Sequence, residues 1–521
     1  MTHPTREGHH AAPLTKILAT LGPSTDDPKV LLKLVEHGAG LFRLNFSHGA
    51  IEEHARRLAG VRAVAALTSK NLAVLGDLPG PKIRLKKVPP AHNGIGIMLE
   101  TGQDVLVRAD REACDPGSAS EPPTVACNYA RIAVEVDPGH RVLINDGAVR
   151  MLAVVSDGEQ LLCRVTAGGL ITSGKGLNLP DSDLSIPATT DKDVVLAQWA
   201  VENELDFLAL SFVRRPEEVR SINERLHRAC AVRYGGSRDP SSREVAERAA
   251  SIPIIAKIET PQAVKAIDAI MHEADGIMVA RGDLGVEMEI AKVPSIQKML
   301  LRKAHEFGKP CIVATQMLES MIENPSPTRA EVSDVANAIY DGADAIMLSG
   351  ETAVGKYPVL AVEMMRRVAS ETEGTIRDEP QEPRPPKRPR DSKARMPALA
   401  HGAWHMARDV GAVLAVVWSQ DGEAARYLSR NGFQMPILAF TSEPEAARRM
   451  SLLRCVVPVC MASVPEHRSD FARVADWYIV EHEQARRGEP IVLLGGKPFD
   501  DPGATNTAAI RFVGELAAAG E

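Results

Sequence analysis

Short apolar segments alternate with amphipathic helical patterns along most of the chain. The segments are rich in Val, Ile, Leu and Ala, and each is followed by apolar residues at helical spacing. Apolar runs that alternate with helices are typical of parallel β/α units with strands buried on both faces. Eight such segments predict an α/β fold built on a closed (β/α)8 TIM barrel. They comprise residues 16–22, 41–48, 72–77, 207–213, 254–259, 276–283, 311–317 and 345–350.

Other stretches interrupt or follow the barrel pattern. Between the third and fourth segments, short alternating strands and Gly, Pro and Asp turns predict a small inserted β-barrel domain. A polar stretch at 234–247 predicts a surface insertion, and a later Pro- and Arg-rich stretch predicts an exposed linker. Four apolar segments after that linker predict a separate α/β domain. The predicted organisation is a tail (1–13), a barrel (14–85 and 188–375), an inserted β lid (86–187), a linker (376–396) and a C-terminal α/β domain (397–521).

Composition and charge exclude several classes of protein. The chain has 521 residues and a formal net charge of −7. It therefore lacks the excess of Lys and Arg that is typical of a nucleic-acid-binding protein. No apolar run reaches the ~18 residues of a membrane helix, and residues 1–13 do not resemble a signal peptide. Seven cysteines without a CxxC spacing argue against a disulfide framework and a structural zinc site. We therefore expect a cytoplasmic metabolic protein with no nucleic-acid or membrane partner.

Charged and hydroxyl side chains occur where the predicted strands end. Barrel enzymes build their sites from the carboxyl ends of their strands. A surface ion pair is the simpler interpretation of any one such residue, but their occurrence on six or more strands favours a shared site. Those that show the pattern best are Arg43, Asn45 and Ser47 on the second segment, Lys257 and Glu259 on the fifth, Arg281 and Asp283 on the sixth, and Ser349 and Glu351 on the eighth.

These residue types indicate a particular chemistry. Lys257, Arg43 and Arg84 offer positive charge to a phosphate or a carboxylate. Glu259 and Asp283 supply hard carboxylate oxygens, which suit Mg²⁺ or Mn²⁺, ions that take few protein ligands. A structural ion pair is the alternative for these two carboxylates. Together, cations and a carboxylate-held metal indicate phosphoryl transfer or enolate stabilisation.

Two hydroxyl residues complete the predicted chemistry. Thr315 and Ser349 follow neighbouring strands, the seventh and the eighth. A hydroxyl at such a position can pass a proton through water to a reacting atom.

The chain closely resembles the pyruvate kinase family. The resemblance extends over nearly the whole chain, and it is strong in the barrel, moderate in the inserted domain and weak in the last domain. The matching stretches occur in family order: TKILATLGPST (15–25), FRLNFSHG (42–49), GDLPGPKIRL (76–85), LSFVRRP (210–216), IIAKIET (254–260), MVARGDLGVE (278–287), ATQMLESM (314–321), PTRAEVSDVANA (327–338) and MLSGETAVGKYP (347–358).

The resemblance implies transfer of the phosphoryl group of phosphoenolpyruvate to ADP, followed by protonation of the enolate to pyruvate. It implies catalytic roles for Lys257, Arg43, Thr315 and Ser349. It implies that substrate is bound by Arg43, Lys257, Ser211, Gly282, Asp283 and Thr315. It implies nucleotide contacts at Pro23, Asn45, His48 and Arg84, and Mg²⁺ or Mn²⁺ ligands at Glu259 and Asp283. By the same analogy, we expect a homotetramer.

The monovalent-cation site departs from the commoner family pattern. Members that need K⁺ hold it with oxygens that match Asn45, Ser47, Asp77 and the residue after Asp77. Here that residue is Leu78, which has no hydroxyl, and Lys82 stands where those members have Glu. Two cations in one low-dielectric pocket repel strongly. The resemblance therefore predicts that the Lys82 ammonium substitutes for K⁺ beside Asp77 and that K⁺ is not required. The alternative is a solvated Lys82 with K⁺ still bound.

Two alternative functions fit the sequence less well. A Mg²⁺-dependent lyase or aldolase that handles a pyruvate enolate has no need for the lid, the nucleotide contacts or the last domain. A catalytically inactive sensor or scaffold of the same fold is expected to lack one or more of Lys257, Glu259, Asp283 and Thr315, and all four are present.

The loop that matches the family's phosphorylated-effector site contains Asp421 and Glu423. These carboxylates repel a phosphate dianion, so the sequence argues against activation by fructose 1,6-bisphosphate.

Overall fold

The computed structural model describes residues 13–234, 252–378, 395–500 and 504–515. The predicted tail therefore lies outside the described residues except for its last position, and so does nearly all of the predicted polar insertion at 234–247. Helices extend to residue 378 and begin again at residue 395, so both ends of the predicted linker are helical and only its interior lies outside the described residues.

Eight parallel strands close into a barrel, as the sequence pattern predicts. Each is a short apolar run that is buried on both faces, and the first and last strands pair directly from Lys16 with Ala345 onward. The strands, in chain order, are Lys16–Thr20, Ala39–Asn45, Ala73–Leu78, Phe207–Leu210, Ile254–Ile258, Gly276–Ala280, Cys311–Ala314 and Ala345–Leu348. Each of them overlaps one predicted segment.

Helices surround the barrel and bury its outer face. The interior is filled by Leu, Ile and Met side chains from successive strands, while a larger cluster packs strands against helices. Thr190 and Thr328 begin two of the helices with capping boxes, which satisfy free backbone N–H groups. The barrel-domain helices are Pro28–Glu36, Ile51–Thr68, Asp191–Glu202, Pro216–Tyr234, Pro261–Lys265, Ile267–Glu273, Arg281–Glu287, Val293–Glu306, Arg329–Tyr340, Gly350–Ala353 and Pro358–Asp378, with 3-10 turns at Pro23–Thr25, Ile290–Lys292 and Glu319–Ile322.

The inserted domain after the third barrel strand is built of β-strands, with one short helix at Ile132–Glu135. The strands hydrogen-bond as a six-stranded sheet and a separate two-stranded sheet. The domain has its own apolar core, so its alternating pattern is explained by one buried and one exposed face. Its strands are Ile97–Leu99, Asp104–Arg108, Thr124–Ala126, Arg141–Ile144, Val149–Ser156, Gln160–Ala167, Gly169–Ile171 and Leu177–Asn178.

The C-terminal domain is a five-stranded sheet with helices on both faces. Four predicted strands are present as Leu414–Trp418, Ile437–Thr441, Val456–Cys460 and Pro490–Gly496. A fifth strand, Thr505–Phe512, pairs antiparallel at the edge of the sheet. The sequence pattern does not predict it, because an exposed edge strand lacks the apolar run of a buried strand. The helices are Arg395–Asp409, Glu423–Ser429, Pro444–Met450 and Arg468–Glu481. None of the helices described is both long and apolar enough to cross a membrane.

Buried ion pairs join the C-terminal domain to the barrel. The Arg430 guanidinium donates to Asp344, which precedes the eighth barrel strand, at 2.7 Å, and both side chains are almost fully buried. Asp344 also accepts from the backbone N–H groups of Cys311 and Arg454. The two domains are therefore held by charges whose partners come from opposite sides of the interface.

Candidate active site

The carboxyl ends of the barrel strands surround a cavity of about 100 Å³. Strand alternation brings polar side chains from successive strand ends to one rim, as expected for this fold. The predicted residues that line the cavity are Arg43, Asn45, Ser47, His48, Asp77, Lys82, Ser211, Lys257, Glu259, Asp283 and Thr315. Met278, Ala280 and Met347 form an apolar part of its wall.

Asp77, at the end of the third strand, is the common partner of two cations. Its carboxylate accepts from Arg43 Nε at 2.7 Å and lies 3.3 Å from Lys257 Nζ. Burial alone raises the pKa of Asp77, but the charges of Lys257 and Arg43 hold that pKa below its ordinary value. Asp77 therefore stays ionised and fixes both cations in place.

Lys257 occupies the centre of this network. Its ammonium lies 3.0 Å from the Glu259 carboxylate and donates to the Ser211 hydroxyl at 2.8 Å. Burial alone lowers the pKa of Lys257, whereas Asp77 and Glu259 raise it above its ordinary value. The ammonium is therefore a permanent charge, with only 11% of the side chain exposed.

Glu259 and Asp283 fit a hard divalent metal ion. Glu259 is fully buried, and burial raises its pKa, an effect opposed by the Lys257 charge and reinforced by Asp283. Its Oε2 accepts from the Phe212 N–H at 2.7 Å, whereas Oε1 contacts Lys257 without hydrogen-bond geometry. Among the described residues, no hydrogen bond or ion pair engages the Asp283 carboxylate. Two adjacent carboxylates with spare oxygen lone pairs are the donor set that Mg²⁺ and Mn²⁺ prefer.

Thr315 has a backbone conformation that is rare for its residue type. Its φ is +67°, in the left-handed region that β-branched residues seldom adopt. The hydroxyl donates to the Ala314 carbonyl at 2.6 Å and accepts from the Gly282 N–H at 2.8 Å. Such strain persists where surrounding contacts enforce it and is common in active sites. The Arg281 side chain supplies one such contact, since it donates to the Thr315 carbonyl at 2.8 Å.

Five predicted residues do not line this cavity. The Gly282 N–H donates to the hydroxyl of Thr315, which does line the cavity. The Leu78 side chain is buried in the outer core, and its carbonyl accepts from Ser211. The Ser349 hydroxyl is buried, and no partner is found for it among the described residues. Pro23 and Arg84 lie outside it as well. Pro23 is exposed beyond the first strand, and Arg84 donates to the Gly174 carbonyl of the lid at 2.7 Å.

Lys82 lies at the rim, where this cavity meets a larger one of about 290 Å³ between barrel and lid. The larger cavity is also lined by Arg84. The Lys82 ammonium lies 5.9 Å from the centre of the Phe212 ring. In the described part of the chain, Asp77 forms ion pairs with Arg43 and Lys257 and does not form one with Lys82. The expected direct pairing of Lys82 with Asp77 is therefore not formed here.

Comparison with known proteins assigns the chain to a family. A family model described as "Pyruvate kinase, barrel domain" matches residues 12–233 and 237–362, and one described as "Pyruvate kinase, alpha/beta domain" matches residues 397–511. The chain belongs to the pyruvate kinase family. Relatives named pyruvate kinase from Mycobacterium intracellulare, Corynebacterium efficiens and Mycobacterium tuberculosis are 37%, 35% and 36% identical, over 96% of this chain and 98% of each relative.

Membership of the pyruvate kinase family makes the chain a phosphotransferase enzyme and confirms the family predicted from its motifs. Two of the strand-end residues, Arg281 and Glu351, have supporting roles that the sequence does not indicate. The Arg281 side chain pairs with Asp334 at 2.7 Å and fixes the Thr315 loop. Glu351 accepts from the N–H groups of Ser349 and Leu318 and orders the loop after the eighth strand. Local sequence gave no signal for either role, because both depend on contacts between different loops.

Glu287 joins the barrel to the lid. Its carboxylate accepts from the Asn178 side chain at 2.7 Å. Burial raises the pKa of Glu287 from 4.5 to about 7, an effect that the Asn178 hydrogen bond reduces and the Asp283 charge increases. The folded state therefore holds a proton on Glu287 at pH values where the unfolded chain has lost it. The contribution of Glu287 to the free energy of unfolding is fully present below pH 4.5 and is lost as the pH rises through 7.

Glu287→Gln is expected to remove this loss, because Gln keeps an acceptor for Asn178 and carries no charge. The variant should match the parent at pH 4.5 and exceed its free energy of unfolding by about 3 kcal/mol at pH 8. Urea unfolding in EDTA at both pH values measures the difference. Glu289→Gln, at an exposed carboxylate two residues away, is the matched control. Equal stability of parent and Glu287→Gln at pH 8 would contradict the prediction.

Proposed function

We propose that the chain catalyses transfer of the phosphoryl group of phosphoenolpyruvate to ADP, giving ATP and pyruvate. The observation that carries this proposal is the buried Lys257 ammonium, held between Asp77 and Glu259 at the mouth of the barrel. A cation fixed before the reaction stabilises charge that develops in the transition state without reorganisation. Family membership supports the choice of phosphoenolpyruvate and ADP as the substrates.

Lys257 and Arg43 stabilise different negative charges of the substrate. Lys257 neutralises charge on the transferring phosphoryl group and on the enolate oxygen left behind. Arg43 binds the phosphoryl oxygens with its planar guanidinium, which Asp77 holds in one orientation. Ser211, hydrogen-bonded to Lys257, contributes a hydroxyl to the same substrate face.

Glu259 and Asp283 hold the divalent ion, with Mg²⁺ the expected physiological metal and Mn²⁺ an alternative. When bound, the ion supplies Lewis-acid polarisation of substrate oxygens. The nearby Gly282 amide completes the substrate-binding set on this side. The carboxylate pair leaves most coordination positions to substrate and water, which is typical of Mg²⁺ sites in phosphoryl-transfer enzymes.

Thr315 holds the proton that the enolate carbon receives, and Ser349 supports this relay from the neighbouring strand. The strained φ of Thr315 fixes its hydroxyl at the cavity wall. The nucleotide lies toward the lid, with contacts from Pro23, Asn45, His48 and Arg84. The position of Arg84 in the larger cavity, which joins the smaller one at Lys82, supports this direction.

The enzyme is proposed to work without K⁺. Asn45, Ser47 and Asp77 line the cavity, but Leu78 directs an apolar side chain into the core and offers no hydroxyl. Lys82 lies at the rim of the same cavity and supplies positive charge where a monovalent ion is otherwise required. A flexible four-carbon stem allows its ammonium to approach Asp77 when substrates are bound.

Lys82→Glu is expected to create a K⁺ requirement, since it removes the resident cation and adds a carboxylate. Turnover of this variant should fall by about 10²-fold in K⁺-free buffer and recover when K⁺ is added. Initial rates of pyruvate formation across a K⁺ series measure the effect. Lys87→Glu makes the same charge change at an exposed lid residue and should leave the K⁺ response unchanged. If Lys82→Glu turns over equally with and without K⁺, Lys82 does not substitute for the ion.

The decisive test of the activity is pyruvate formation from phosphoenolpyruvate, ADP and Mg²⁺ in K⁺-free buffer. Turnover that K⁺ barely changes agrees with both proposals, and turnover only with K⁺ keeps the enzyme and removes the role of Lys82. Absence of turnover under both conditions would favour the inactive scaffold.

A homotetramer in the cytoplasm is the expected assembly and location. Sedimentation velocity tests the assembly.

A further inference from the structure

Two histidines of the C-terminal domain face each other on one helix. His401 and His405 lie four residues apart on helix Arg395–Asp409, a spacing that places them on the same face. Their Nε2 atoms are 3.3 Å apart, and the rings are nearly perpendicular with centroids 4.7 Å apart. Both imidazoles therefore direct the same nitrogen toward one point in space.

The helix holds this pair in a fixed position. Ala400, Ala403 and Trp404 are buried in the core of the domain, which anchors the turn that carries the histidines. The Trp404 ring also contacts the His405 ring edge-on, with centroids 4.9 Å apart. Both histidines are half-buried, so part of each ring is accessible to solvent.

Arg408, one turn further along the helix, is a cation that other groups engage. It stacks its guanidinium over the Trp404 ring at 4.9 Å and pairs with Asp409 at 3.2 Å. Its charge is thus engaged by an aromatic face and a carboxylate.

We propose that His401 and His405 chelate a borderline divalent transition-metal ion such as Zn²⁺, Ni²⁺ or Cu²⁺. Metal–nitrogen bonds of about 2.0–2.1 Å at a tetrahedral angle place two ligand nitrogens about 3.4 Å apart, close to the separation seen here. Imidazole suits these ions and not Mg²⁺, which prefers oxygen. The site is thus chemically distinct from the Glu259 and Asp283 pair, and it does not depend on the proposed catalytic function.

Water completes the coordination of the ion. Among the residues that the structure describes, no group of three or more His, Cys, Asp or Glu side chains forms a closed metal cluster. In the metal-free pair, one Nε2 donates its proton to the other. Binding requires a lone pair from each Nε2, so the donating ring moves its proton to Nδ1 and both rings remain neutral.

The test uses the full-length chain with excess Mg²⁺ to occupy the oxygen site. His3, His9 and His10 are replaced by Gln in every protein compared, because imidazole groups of the tail compete for the same ions. Titration calorimetry with Ni²⁺ should show one site per chain, and His405→Gln or His401→Gln should weaken it about tenfold or more, since one of two protein ligands is lost. His227→Gln, at an exposed histidine of a barrel helix, is the matched control.

Two further readouts separate chelation from a structural hydrogen bond. The affinity should follow the order Cu²⁺ over Ni²⁺ over Co²⁺, and the electron paramagnetic resonance spectrum of bound Cu²⁺ should show coupling to two imidazole nitrogens. Thermal midpoints in EDTA establish that each variant folds; if one does not, the other His variant decides. Ni²⁺ affinity in the folded His variants equal to that of the parent, or no Ni²⁺ site in the parent, would overturn the proposal.

Discussion

Lys257→Met is expected to lower kcat for pyruvate formation by about 10³-fold or more, because it removes a preorganised cation from the reacting centre. Asp77 and Glu259 keep the pKa of Lys257 above its ordinary value despite the burial that lowers it, so the charge is present throughout the working pH range. Arg43 cannot replace it, since its guanidinium is held by Asp77 at 2.7 Å. Steady-state rates at saturating substrate measure the loss.

The same substitution also affects stability. Without Lys257, the buried Glu259 carboxylate loses its neighbouring cation, and we expect a lower thermal midpoint in a chain that remains folded. Near-ultraviolet circular dichroism separates loss of catalysis from loss of structure. Lys29→Met, at an exposed lysine of the first helix, is the control for removal of a lysine charge. Turnover of Lys257→Met within tenfold of the parent would refute the proposed role.

Asp344→Ala is expected to destabilise the protein by about 3–5 kcal/mol, the range for one partner removed from a buried ion pair. The variant leaves the Arg430 guanidinium buried without its carboxylate, and it removes the acceptor of the Cys311 and Arg454 N–H groups. Burial lowers the pKa of Arg430 to about 10, because the charged form is poorly solvated in the interface. Urea unfolding measures the change.

A double variant tests the source of this effect. Asp344→Ala combined with Arg430→Met should cost less than the sum of the two single changes, because no buried charge is left unpaired. Asp104→Ala breaks the exposed pair with Arg164 in the lid, and its expected cost is about 0–1 kcal/mol. Additive single costs for Asp344 and Arg430 would mean that the two side chains act independently, contrary to the prediction.

The sequence by itself determined the fold class and the family. Eight apolar segments with helical spacers predict a barrel because only parallel strands buried on both faces need such runs. Polar residues at the strand ends identify the rim of the site, since period-two alternation fixes which side chains share a face. On this basis the sequence predicts Lys257, Glu259 and Thr315 at one site, and they line one cavity, while their individual catalytic roles stay predictions.

Only the tertiary structure decided how these side chains are paired. The shared use of Asp77 by Arg43 and Lys257, the support of the Thr315 loop by Arg281 and the burial of Asp344 against Arg430 join residues far apart in the chain. Hydrophobic periodicity indicates which face of a helix or strand is buried. It does not indicate which side chains of other elements contact that face. Charge pairing depends on distances of a few ångströms between loops, and the packing of whole domains sets those distances.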